Sequence, residues 1–297
     1  MTEQNSRLGI GLMLAATFVF SAQDGISRHL AGQYNVFMVM MIRYWFFAAF
    51  VILLATRQAG GIRDAARTTM PWIQGFRSLL LIAEVLTLVT AFVILGLVET
   101  HAIFAVYPLM VAALSGPILG ERVGWRRWLA IGIGFVGILV ILQPGFGVFS
   151  PAALLAVAGA AMFALYGLLT RYCGRSDSAA TSFFWTGTVG AVAMTLIGIW
   201  FWEPMTAGDW AWMALLCVTA SLAHWLLIRC YEVAEASVVQ PFAYFQLVFA
   251  SAFGVTIFGD ALELNVVIGA LIVTSAGIFT LVRSAIAARA SRRDGAR

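Results

Sequence analysis

The chain contains no lysine: all eighteen of its basic residues are arginine, and charged residues of both signs make up only 11% of 297 positions. So little charge beside 62% apolar residues and a mean hydropathy of +0.93 excludes a soluble domain. Cysteine is scarce too. Cys173, Cys217 and Cys230 lack CxxC or metal-ligand spacing and lie within apolar segments, so packing is expected of them rather than a disulfide or a metal site. No HExxH, GxSxG or GxxxxGK[ST] occurs, which removes zinc hydrolysis, a serine nucleophile elbow and ATP-driven pumping. No long polar stretch is present either, as a receptor or scaffold with soluble parts would need. Alternating polarity is missing, and with it the pattern of a transmembrane β-barrel.

The apolar stretches run about 20 residues, the length that spans a hydrocarbon core of roughly 30 Å as α-helix. The predicted class is therefore an all-α polytopic membrane protein. Ten segments are expected, near 8–30, 36–57, 72–95, 100–119, 125–142, 152–173, 180–201, 210–234, 236–258 and 265–287. The weakest breaks fall at Glu99-Thr100-His101 and at 232–235. The first segment follows Arg7 as a signal peptide would, but it is too long and lacks a small-residue cleavage site, so a retained helix is expected. With the amino terminus cytoplasmic, the loop and tail arginines from Arg57 to Arg297 fall inside and only Arg28 falls outside, as the positive-inside rule favours. Both termini are then cytoplasmic, in a bacterial inner membrane. The net charge of +4 needs anionic lipid as its partner and no nucleic acid.

The two halves echo each other. Ser27-Arg28 matches Thr170-Arg171, Glu99-Thr100-His101 matches Glu235-Ala236-Ser237, and Gly120-Glu121 matches Gly259-Asp260, at offsets of 136 to 143 residues. An odd number of crossings per copy inverts the second, so residues 1–145 and 146–297 are expected to form two inverted five-helix repeats about a central cavity. The Gly-acid pairs suit helix ends, with glycine closing one helix and the acid near the amino-terminal dipole of the next.

Residues 99–142, with a central proline, a Gly-Glu ending and a glycine-rich following helix, resemble the drug/metabolite transporter superfamily, and within it the ten-helix proteins with two EamA-type repeats. The second copy departs from that pattern in placing Pro241 earlier than Pro108 and Asp260 where glutamate is usual. The resemblance implies a carrier with no cofactor that exports amino acids or other small metabolites, closest in kind to YddG-type exporters of aromatic or broadly chosen amino acids. A carrier of nucleosides or of an S-adenosylmethionine-like metabolite is the alternative, and an intramembrane enzyme a more distant one. A monomer or weak homodimer is expected.

Polar residues at depth are the candidates for a transport site. Glu84 lies about 18 Å along its helix from Trp72, near the midplane. A carboxylate there binds a substrate amine, carries a proton, or makes a structural hydrogen bond between helices. Arg43, about 10 Å into the second helix, faces a substrate carboxylate or Glu84; Arg77, about 8 Å into the third, either joins the site or snorkels to the interface. His224 and Trp225 occupy the position that inversion makes the counterpart of Glu84. Gln246, Tyr244, Tyr107, His101, Trp185, Tyr166, Gln23 and Asp24 complete the candidate lining, against the alternative that each merely packs. Pro108 and Pro241 are expected to kink helices four and nine, as hinges or as static bends. Proton coupling through Glu84 or His224 and facilitated diffusion are both open.

Overall fold

A computed structural model describes residues 6–57, 60–120, 124–143, 152–233 and 242–294, and every regular element among them is helical. Eleven α-helices follow in order: α1 (Ser6–Gln33), α2 (Val36–Thr56), the short α3 (Gly61–Ala66), α4 (Pro71–Phe104), α5 (Tyr107–Leu119), α6 (Trp125–Leu142), α7 (Ala153–Cys173), α8 (Ala179–Gly198), α9 (Ala207–Val233), α10 (Phe245–Phe258) and α11 (Leu264–Asp294). Among the described residues six helices are long and apolar enough to cross a membrane, and shorter apolar helices lie at Tyr107–Leu119, Trp128–Leu142, Phe245–Phe258 and Leu264–Phe279.

α4 holds two crossings. At Gly96 the backbone turns to φ 86°, ψ 171°, and the helix before it is the third crossing while the one after it opens the fourth. The expected break at Glu99-Thr100-His101 is thus displaced, because a positive φ is available to glycine at no steric cost and to Glu99 or His101 only with strain. α1 also runs on to Gln33, a few residues past the end expected near residue 30. The fourth crossing is interrupted again at Ala105 and Val106, and α5 restarts with Pro108 in its first turn, where a missing N–H costs nothing. Pro108 therefore follows a break rather than kinking a continuous helix. Pro241 lies outside the described residues; α10, in the ninth crossing, begins after a turn at Tyr244.

Packing shows the inverted repeat directly. α1 packs on α9 and α10, and α7 packs on α4 and α5, which is the same pair of relations with the halves exchanged. α2 against α8 and α6 against α11 are each their own counterparts across that exchange. Trp72, Trp125 and Trp128 are exposed at the end where the arginines cluster, and Trp200, Trp202, Trp210 and Trp212 at the opposite end. Two such girdles mark the two interfaces of a bilayer.

All three cysteines are buried and unbridged, as packing residues should be. α6 and α11 approach so closely that a Cβ on Gly269 would lie 2.6 Å from the Gly137 carbonyl oxygen. Gly269→Val should therefore cost roughly 1–3 kcal/mol through overpacking, seen as a lowered thermal midpoint in detergent. Gly11→Ala, where no atom lies within 4 Å of the new methyl, should hold or raise that midpoint.

Candidate transport site

The end of the bundle poor in arginine is sealed by ion pairs and hydrogen bonds between the halves. Arg28 of α1 reaches Asp260, which follows α10, with Nη1 2.7 and 2.9 Å from the two carboxylate oxygens, and its guanidinium lies over Phe258. Asp260 Oδ2 also accepts the N–H of Leu97 at 2.7 Å and of Val98 at 3.4 Å. The acid was expected at the dipole of its own following helix; it caps instead the helix that opens at Leu97 in the other half, where unsatisfied N–H groups attract an anion. A Cβ at Gly96 would lie 2.7 Å from its Oδ1, so glycine is needed for space as well as for φ. Nearby, Asp209 accepts from Tyr34 and Thr206 at 2.6 Å each and lies 3.3 Å from His29 Nε2, while Glu203 accepts the Asn35 N–H.

One turn deeper, three candidates meet. His101 Nε2 lies 3.1 Å from Asp24 Oδ2, and Gln246 donates to the same oxygen at 3.2 Å. His101 Nδ1 lies 3.0 Å from the Leu97 carbonyl, and its ring stacks on Phe92 at 5.1 Å and 2°. The interruptions of the fourth and ninth crossings face each other beside this group and leave a cavity of about 30 Å³ lined by His101, Tyr107, Pro108, Tyr244 and Gln246. Broken helices at a central cavity are a recurring way for transporters to bring polar backbone and side chains to bilayer depth.

Glu84 is 3% exposed, and the charges of Asp24 and Arg43 bear on it. The same two charges bear on His224. Among the described residues neither the Glu84 carboxylate nor the Arg43 guanidinium has a hydrogen-bond partner. Gln23 Oε1 and the Tyr244 hydroxyl are also buried without one. Buried polar groups are nearly always satisfied, so a buried Glu84 carboxylate with no hydrogen-bond partner leaves bonding capacity for another molecule.

Toward the arginine-rich end, His224 is boxed by Phe20, Phe47 and Phe183, with ring centroids 5.2 to 6.4 Å away. Past that layer a cavity of about 320 Å³ opens, lined by Phe50, Phe183, Phe184, Trp225 and Arg229 among others. Trp225 thus belongs to a vestibule, separate from Glu84.

Two candidates are fully engaged elsewhere. Arg77, 1% exposed, does not snorkel: it donates to Gln74, Thr170, Thr186 and the Ser182 carbonyl, and lies 5.3 Å from the Tyr166 ring. Trp185 donates to the Ala66 carbonyl at 3.0 Å and anchors α3. Beside them Asp177, in the loop between α7 and α8, accepts from Thr68, Gln74 and the Thr69 N–H. Arg28, Asp260, Asp177 and Asp209 were not anticipated as partners. The signal was present for the first two, since both mark corresponding points of the repeat and fall at the same membrane face.

A membrane bundle of two inverted halves, with interrupted helices meeting at a polar cavity between a sealed end and a hollow one, is the architecture of a transporter. The chain belongs to the EamA-like transporter family, whose pattern matches residues 7–143 and again 150–282, within the drug/metabolite transporter superfamily. An S-adenosylmethionine uptake transporter of Rickettsia bellii is 26% identical over 92% of this chain and 93% of its own. A riboflavin transporter of Vibrio cholerae is 28% identical over 83% of this chain and 84% of its own. The pseudopaline exporter CntI of Pseudomonas aeruginosa is 21% identical over 91% of this chain and 94% of its own. A solved crystal structure with 15% identity matches 94% of this chain and 99% of its own at a TM-score of 0.64, a likeness of fold.

Removing one member of this part-buried ion pair leaves the other without its partner, so Asp260→Ala should cost about 1–3 kcal/mol of stability in detergent, and adding Arg28→Leu should recover part of it. Burial pushes the Asp177 carboxyl up, but hydrogen bonds from Thr68, Gln74 and Thr69 and the Arg77 charge outweigh it and hold the group below its ordinary value of 3.8. Its contribution to stability is therefore present above that ordinary value and lost as pH falls through the lower folded one. Asp177→Asn should flatten the thermal midpoint across that acid range.

Proposed function

We propose that the chain is a secondary carrier for a small zwitterion with an α-amino-acid head, working by alternating exposure of the central site. The observation that carries this reading is the pair of opposite, hydrogen-bond-free charges at depth, Glu84 and Arg43. An ammonium set against Glu84 and a carboxylate against Arg43 would satisfy both, with a bidentate geometry open to the guanidinium. A neutral flavin has neither an ammonium to set against Glu84 nor a carboxylate to set against Arg43. The aromatic run from Phe104 and Tyr107 through Phe163 to Tyr166, ring centroids 4.9 to 6.1 Å apart, gives faces against which a planar ring can stack. S-adenosylmethionine, with an amino-acid head and an adenine, fits these features and the relatives named for its uptake; aromatic amino acids, the class implied by the resemblance to amino-acid exporters, fit the same contacts.

On the positive-inside rule the arginine bias favours cytoplasmic termini in a bacterial inner membrane, and on that reading the ion-paired end is external and the vestibule cytoplasmic. This arrangement is closed outward and hollow inward. Direction then follows from the gradients across it rather than from the fold.

Counterflow in proteoliposomes tests the reading. Labelled S-adenosylmethionine or an aromatic amino acid should exchange without ATP, and Glu84→Gln and Arg43→Gln should each slow exchange about ten-fold or more, the loss of one charged hydrogen bond. If no amino-acid-headed substrate exchanges, or if Glu84→Gln and Glu84→Ala both transport at the unaltered rate, the assignment fails.

A further inference from the structure

We infer that the vestibule at the arginine-rich end is a second binding site, for the ring and carboxylate of an aromatic acid, which selects those two groups before the central site reads the ammonium. Its cavity of about 320 Å³ is of the size that holds a small organic ligand. The rings of Phe50, Phe183, Phe184 and Trp225, from three helices, form its walls, and Arg229 lines it with them. Aromatic side chains bind a planar ring, and a guanidinium binds a carboxylate in a bidentate fork. Five N–H groups let that guanidinium serve a ligand alongside a protein acceptor. Among the described lining residues there is no acid, so nothing here answers an ammonium. The floor is held in place. Buried Ala65 of α3 lines the cavity, Trp185 donates to the neighbouring Ala66 carbonyl at 3.0 Å, and Asp177 accepts from Thr68 and Thr69 just beyond.

The vestibule lies on the way to the central site. Phe183 is one of its walls and also part of the ring layer around His224, with centroids 4.8 Å from Phe47 and 6.4 Å from His224. α2 and α9 both start at the ion-paired end, where Asn35 meets Glu203 and Tyr34 meets Asp209, so the two helices run the same way. On α2, Arg43 stands one turn before Phe47, about 6 Å toward the ion-paired end. On α9, Arg229 stands five residues after His224, about 8 Å toward the other end. An arginine is thus placed on each side of the ring layer, the two backbone positions about 14 Å apart along the bundle. A carboxylate that leaves Arg229 and passes the layer meets Arg43 next, and only there an acid, Glu84, within the same field to take an ammonium. That alignment favours a travelling aromatic acid over a resident lipid, which needs no second arginine.

Passage to the central site rests on the zwitterion-carrier reading above; binding in the vestibule does not. In detergent, the thiol introduced by Ala180→Cys at the cavity wall should be shielded from a maleimide by indole-3-propionate, an aromatic carboxylate without an amine, the three native thiols being buried. Adding Arg229→Gln should raise the shielding concentration about ten-fold. Adding Trp225→Leu should raise it too, and adding Glu84→Gln should leave it unchanged. Absence of shielding, shielding untouched by both vestibule substitutions, or shielding that is lost with Glu84→Gln instead overturns the site. Shielding by phosphatidylglycerol and not by indole-3-propionate overturns it as well, since the occupant is then a lipid. In proteoliposomes indole-3-propionate should inhibit the exchange of labelled tryptophan without being exchanged itself. Its exchange at the same rate as tryptophan would overturn the division of selectivity between the two sites. Should tryptophan not exchange at all, the carrier reading falls by itself and the shielding experiment still decides the vestibule.

Discussion

The carboxylate of Asp260 holds together three segments that have no covalent reason to meet. It neutralises Arg28 from the first helix, caps the helix that begins at Leu97, and fits there because Gly96 and Gly254 present no side chain to displace it. In low-dielectric surroundings such a charge is costly unless every bond is made, and here a cation and helix-terminal N–H groups share the task. Asp24 lies one turn from Arg28 on α1, and His101 one turn from Leu97 on α4. Once Asp260 fixes the outer turns of those two helices, the inner turns bring Asp24 and His101 within 3.1 Å.

The two ends of the molecule are closed by different chemistry. One is joined by charged and hydroxyl groups from opposite halves, Arg28 with Asp260 and Asp209 with Tyr34, and the other is hollow behind a layer of aromatic rings around His224. Ion pairs can exchange water for protein partners when a gate parts, while rings can rotate or slide with no hydrogen bond broken. Between them lie Glu84 and Arg43, whose charges no described side chain satisfies by hydrogen bonding. A carrier needs this reserve, because a site already satisfied by its own side chains has little to offer a ligand.

Much of the architecture was legible in the chain. Periodic apolar runs placed the crossings, and recurring Arg, Glu and Gly-acid markers placed the repeat, whose inversion reappears as the exchange of α1 on α9 with α7 on α4. The turn between the third and fourth crossings was misplaced by a few residues because the polar Glu99-Thr100-His101 looked like a loop. Those residues are polar for another reason, His101 being a partner of Asp24, and the turn went to the one nearby residue that tolerates positive φ. Of the candidate site residues, Asp24, His101 and Gln246 came together directly, and Glu84, Arg43 and His224 share one field. Arg77 could not be separated from them by depth alone, since a buried arginine in a structural network and one facing a cavity have the same hydropathy signature.

By itself the sequence determined the class, the ten crossings, the duplication and the bias of arginine toward one end. These follow from local quantities, the length of an apolar run against the thickness of a bilayer and the charge of the loops between runs. Only the tertiary structure decided which buried polar residues satisfy one another and which are left for a ligand. Arg28 and Asp260 are separated by 232 residues and Asp24 and Gln246 by 222, and contacts at such separations depend on how two inverted halves dock, which side-chain polarity along a single helix does not encode.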